Sequence, residues 1–140
     1  MDKVHETALI GNGKTTELAF GDITINLFSK IVDINTVKPL MVKTIMLREK
    51  NMKGLLYHYL KKVYDLALSE AILIHKVHNV KIENINNDYL LTAVIAGEKL
   101  NPEHKIHNKL KMITERNIAI KEDVKGCHIQ INIVEEDEKL

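Results

Sequence analysis

Apolar residues recur along this chain in two different periods, and the points where the period switches mark its elements. Val4 to Ile10 carries β-compatible residues and stops at Gly11-Asn12-Gly13, a turn signal, which predicts a first strand. From Thr16 the steps become three and four residues. Leu18, Ile25, Phe28 and Val32 form one stripe, Phe20, Leu27 and Ile31 widen it, and Thr15 or Thr16 offers a hydroxyl to the first free amides. The spacing predicts a helix to about Val32, with Gly21 as a weak point inside it. Asp33 to Pro39 reads as a connection and Leu40 to Arg48 as a second strand. A second helix is expected from Met52 to Ser69. Its apolar face is Met52, Leu55, Leu56, Tyr59, Leu60, Val63, Leu66 and Ala67, with His58, Lys61, Lys62 and Asp65 lying off that face.

Beyond Ser69 the pattern is that of sheet. Ala71 to Ile82, Tyr89 to Ala96, Lys109 to Ile120 and Cys127 to Val134 are rich in Ile, Val and Leu. Turn residues separate them at Asn86-Asn87-Asp88, Asn101-Pro102 and Lys125-Gly126. The expected fold is therefore α+β, two amphipathic helices packed on one face of a mostly antiparallel sheet of about six strands. No repeat, linker or low-complexity segment divides the chain, so residues 1–140 are expected to form a single domain, with 135–140 a flexible acidic tail.

Composition narrows the function classes. A chain of 140 residues with 45% hydrophobic and 28% charged positions is ordinary for a globular domain. A net charge of +1 gives no overall field to draw the molecule onto nucleic acid or an anionic membrane, so any RNA contact has to be local. No apolar run reaches the ~20 residues of a membrane span, and the N-terminus lacks an apolar leader segment, which points to the cytoplasm and away from membranes. Cys127 is the only cysteine, so neither an internal disulfide nor a cysteine-based zinc site can form. Its neighbour His128 should lie on the opposite face of a strand, which favours a buried, inert thiol over a Cys/His pair.

Three motifs invite sharper readings. Gly11-Asn12-Gly13-Lys14-Thr15-Thr16 resembles the end of a phosphate-binding loop, but Ala8 stands where the first glycine should be, and a strand-to-helix turn with a threonine cap explains the same residues. His75 with His78, and His104 with His107, have a spacing that serves a metal on a helix, yet they fall in extended or loop segments, which favours exposed histidines. Lys105, Lys109, Lys111, Arg116 and Lys121 offer a basic stretch. Glu103 and Glu115 dilute it and only 4% of residues are aromatic, so a solvated strand face is favoured over an RNA groove, with weak RNA contact as the alternative.

Four strings in order give the chain a family resemblance. Thr15 to Phe20 with Asn26-Leu27-Phe28, Leu55 to Leu60, Gly97-Glu98-Lys99-Leu100-Asn101-Pro102-Glu103-His104, and Lys111-Met112-Ile113-Thr114 resemble successive motifs of the archease family. The resemblance implies a non-catalytic accessory protein that promotes guanylylation and turnover of tRNA-splicing RNA ligase. It equally implies RNA ligase, or another RNA-processing enzyme, as partner; Lys111 and Thr114 of the matched string, with Lys109 and Arg116 of the basic stretch, are the expected contacts to that partner or to RNA.

The same resemblance implies a divalent metal, often calcium, held by an acidic residue near the start and an Asp-Ile pair that ends the chain. Counting back from the first helix without gaps puts Glu6 at the acidic position, and Asn132 with Ile133 at the terminal pair. Here an amide replaces a carboxylate, and Val134 to Leu140 takes the chain end away from Ile133. Asn51, Lys53, Lys62 and Glu115-Arg116 also depart from the family pattern. The expectation is a fold retained over a site whose calcium binding is weak or lost.

Overall fold

A computed structural model describes residues 3–107 and 109–137, with only the backbone of Lys3, Lys109 and Asp137. Seven strands and two long helices follow in the order β1 (Lys3–Gly13), α1 (Thr16–Ile31), β2 (Met41–Glu49), α2 (Met52–Ser69), β3 (Ile72–Ile85), β4 (Asp88–Lys99), β5 (Lys109–Ile113), β6 (Ala119–Asp123) and β7 (Gly126–Asp137). The α+β expectation holds, with one change: the single expected sheet is two antiparallel sheets. In one, β7 is central, with β1 along one side and both β5 and β6 along the other; in the second, β4 lies between β2 and β3.

The two strands β5 and β6 were expected as one, Lys109 to Ile120. After Ile113 the chain leaves the ladder because Thr114 turns its own N–H and hydroxyl onto the Asn132 carbonyl, at 3.0 and 2.9 Å. Asn117 then takes a left-handed backbone (φ 55°), a conformation that asparagine adopts more readily than other side chains. A local polar turn, invisible to a count of apolar residues, thus splits the strand.

Both helices start on caps that their sequences supply. The Thr15 hydroxyl accepts from Leu18 N–H at 3.1 Å, and the Asn51 side chain accepts from Gly54 N–H at 2.7 Å. The buried face of α1 is Ala19, Phe20, Ile23, Thr24, Leu27 and Phe28. This stripe is rotated from the expected one: Leu18 is 58% exposed, and the polar Thr24 is inside. On α2, Leu55, Leu56, Tyr59, Leu60 and Val63 are buried as expected, and Tyr64 joins them by donating its hydroxyl to the Leu110 carbonyl. One continuous core gathers these faces with Leu9, Ile131 and Ile133 of the larger sheet and Ile45, Leu91 and Ile95 of the smaller.

Gly97 shows how tightly the smaller sheet is built, because a Cβ there would stand 1.8 Å from the Leu73 carbonyl oxygen. At the other end of the chain, the tail expected from Glu135 does not begin there. Strand β7 continues to Asp137, and Glu135 is buried. Residues 138–140 of that expected tail lie outside the described residues.

Candidate functional site

The outer face of the larger sheet brings together residues that are far apart in sequence. Strand β1 pairs with β7 so that Glu6 opposes Val134 and Ala8 opposes Asn132, which leaves Glu6 and Asn132 as diagonal neighbours on one face. The Asn132 amide donates to Glu6 Oε2 at 2.5 Å. From the turn after β5, the Arg116 guanidinium reaches Glu6 Oε1 at 3.1 Å. Each carboxylate oxygen of Glu6 therefore has a partner. Asn132 is itself fixed at the backbone, its N–H donating to the Arg116 carbonyl at 3.1 Å and its carbonyl holding Thr114.

The other expected site residues fall into place around this cluster, not all in the roles expected of them. Ile133 is wholly buried, facing the core, with Thr7 and Ile113 opposite it on the flanking strands. Thr114, expected to contact a partner or RNA, is only 2% exposed. Its oxygen donates to the Asn132 carbonyl and accepts from Arg116 N–H at 3.0 Å, which makes it a structural clamp for the turn. Lys111 is half-exposed, 3.7 Å from Glu136. The Lys109 side chain lies outside the described residues.

Of the two glutamates that follow Val134, Glu136 stands on the Glu6 face beside Lys111 and Glu135 does not. Glu135 points to the helix side of the sheet, where it accepts from the Thr7 hydroxyl at 3.0 Å and lies 3.8 Å from Lys30 Nζ and 3.5 Å from His5 Nε2. Among the described residues, no group of three or more His, Cys, Asp or Glu side chains is gathered to hold a metal ion.

A second polar cluster sits at the Gly97–His104 turn. His104 was expected to be exposed, but it is buried. Its Nδ1 accepts from the Asn101 N–H at 3.1 Å, so Nε2 carries the ring proton and donates to Glu98 Oε1 at 2.7 Å. That bond, then the Lys38 N–H at 3.0 Å, hold the Glu98 carboxyl below its ordinary pKa. His75 is half-buried against the Ile34 carbonyl, while His78 and His107 are exposed. His75 and His78 are the residues skipped by the two register shifts of β3, which accounts for a three-residue spacing on a bulged strand.

The two remaining motifs resolve plainly. Gly11 and Gly13 let β1 approach α1: a Cβ on either would come within 2.5 Å of Ile23 or Ala19. The glycines face the helix and not an open phosphate cradle. Cys127 is buried on the core face, and burial pushes its thiol pKa up, while His128 points outward to Asn12 at 2.6 Å. The pair cannot act together.

Two helices on a four-stranded and a three-stranded antiparallel sheet define a small α+β class of known architecture. The solution structure of Methanobacterium thermoautotrophicum protein 1598 has the same fold, with a TM-score of 0.75 over 97% of this chain and 98% of that one, at 17% identity. The sequence profile of the archease protein family matches residues 5–133. Protein archease of Thermococcus kodakarensis is 33% identical over 111 residues, 79% of this chain and 78% of that one. Protein archease of Methanosarcina mazei is 20% identical over 132 residues, 94% and 90% of the two chains. The chain belongs to the archease family. No helix among the described residues is long and apolar enough to cross a membrane.

Proposed function

We propose that this protein is an archease-type accessory factor in the cytoplasm that promotes guanylylation and turnover of a tRNA-splicing RNA ligase and carries out no chemistry of its own. The observation that carries the reading is membership of the family over residues 5–133, nearly the whole chain. What it supports is a role in RNA processing, and ligase activation is the form of that role assigned by the resemblance. The chemistry of the surface favours a protein partner over RNA alone. Lys111 and Arg116, two of the exposed cations in the basic stretch, each face a carboxylate, Glu136 and Glu6. Cations neutralised in this way release few counterions when they meet a phosphate backbone.

The test mixes the purified protein with the RNA ligase of the same cell and follows covalent guanylylation of the ligase. A faster rate with the protein than without is expected. If the rate is unchanged and the two proteins do not co-elute, ligase activation is wrong. Salt-sensitive binding of RNA alone, weakened when Lys109 and Lys111 are changed to Glu, would assign the chain to RNA recognition instead.

A further inference from the structure

At one end of the larger sheet three carboxylates, Glu6, Glu135 and Glu136, stand on β1 and the end of β7, and each has a cation of the chain itself beside it. Lys30 serves Glu135 and Lys111 serves Glu136, both at the long distances of loose pairs, 3.8 and 3.7 Å. Arg116 serves Glu6 at 3.1 Å, a hydrogen-bonding distance. This third pair is the tightest and has the most elaborate support. The turn that carries Arg116 is tied to β7 by three bonds: Thr114 N–H and Thr114 hydroxyl to the Asn132 carbonyl, and Asn132 N–H to the Arg116 carbonyl. A fourth, Arg116 N–H to Thr114 Oγ1, closes the turn on itself. The guanidinium is thereby delivered to the face where Asn132 already occupies the other oxygen of Glu6.

The position implied for calcium by the family resemblance is this same face, and the donors do not fit it. Calcium takes several oxygen ligands, most of them charged. Here both oxygens of Glu6 are engaged, Glu136 on the same face has Lys111 beside it at 3.7 Å, and the Asn132 side chain presents its N–H to Glu6. A positive group 3.1 Å from Glu6 opposes a divalent ion there by direct repulsion.

We infer that Arg116 is the resident cation of this site: a guanidinium built into the chain takes the place of a divalent metal ion, so that the Glu6 end of the sheet is held together without one. The inference rests on family membership only for the position of the metal it replaces, and its test involves no ligase, so either can fail without the other.

The test is thermal unfolding and calorimetric titration with calcium chloride, against EDTA, on the intact protein and on Asn132→Asp and Arg116→Ala/Asn132→Asp. The intact chain and Asn132→Asp are expected to show no saturable calcium heat and the same Tm in calcium as in EDTA. The double variant, with an added carboxylate beside Glu6 and no guanidinium, is expected to bind calcium and to gain several degrees in Tm. If it is unfolded in EDTA, folding on addition of calcium, seen by circular dichroism, supports the inference equally. Saturable calcium binding by the intact chain overturns it. So does binding by Asn132→Asp alone as strong as that of the double variant, or a double variant indifferent to calcium.

Discussion

Thr24 and Tyr59 form a hydroxyl pair between the two helices, both wholly buried and 2.7 Å apart. The Thr24 hydroxyl also donates to the Phe20 carbonyl at 2.6 Å, so the proton shared with Tyr59 has to come from the phenol. Burial pushes the Tyr59 pKa up to about 12, which keeps the phenol a neutral donor. Three variants should therefore rank in a definite order. Thr24→Val leaves the phenol proton in an apolar site without its acceptor, which costs about 2–3 kcal/mol, whereas the Phe20 carbonyl keeps its place in the helical ladder. Tyr59→Phe removes the donor while Thr24 still uses its own proton on Phe20, a loss of about 1 kcal/mol. The double variant leaves no stranded donor and should lose no more than Tyr59→Phe, giving a coupling of at least about 2–3 kcal/mol. With roughly 3–5 °C of Tm per kcal/mol at this length, Thr24→Val should melt roughly 6–15 °C below the parent. Thermal and urea unfolding at neutral pH, followed by circular dichroism, give all three values. Additive losses, or Tyr59→Phe costing more than Thr24→Val, would refute the assigned direction of the bond.

Gly97→Ala should drive β3 from β4, since a Cβ would meet the Leu73 carbonyl oxygen at 1.8 Å, and a loss of at least about 3 kcal/mol is expected in urea unfolding; a loss under about 1 kcal/mol would show that the strands can part freely. Because the folded Glu98 carboxyl titrates below its ordinary value, the stability it contributes is present above that ordinary pKa and disappears as the pH falls through the lowered folded one. Glu98→Gln should accordingly flatten the acid limb of a Tm profile taken from pH 7 to 3, and an unaltered acid limb would remove Glu98 from the explanation. Cys127, buried with a raised pKa, should resist thiol-specific reagents in the folded protein and react fully in urea; rapid labelling of the native chain would contradict the packing of β7 against α1.

How far the sequence could be read depended on the kind of signal. Helix α2 was legible to its ends from its wide apolar stripe alone, and the Asn51 cap that starts it became visible only in the structure. For α1 the length was legible but the phase was not, since Thr24 counts as polar in any pattern and its hydroxyl is satisfied only by partners in space, Phe20 and Tyr59. The break between β5 and β6 is set by Thr114 and Asn117, whose backbone behaviour leaves no mark on hydrophobic periodicity.

At the site, counting back from α1 without gaps picked out Glu6, which stands diagonal to Asn132, since a strand joined to a capped helix by Lys14 and Thr15 leaves little freedom in register. Arg116 was singled out as one of a basic stretch and assigned outward, to a partner or RNA. Only the turn at residues 114–117 shows that it faces Glu6. The burial of His104 was missed for the same reason: its carboxylate partner, Glu98, lies across a turn whose path no periodicity describes.

The account stands on the proposal that this fold serves an RNA ligase, and the most direct measurement is ligation under turnover conditions. Joined RNA would be counted per ligase molecule, with the protein present in amounts well below the ligase. The account predicts many joining events per ligase when the protein is present and a stall near a single event without it. Equal product in both reactions, with the protein shown to be folded, would contradict the account.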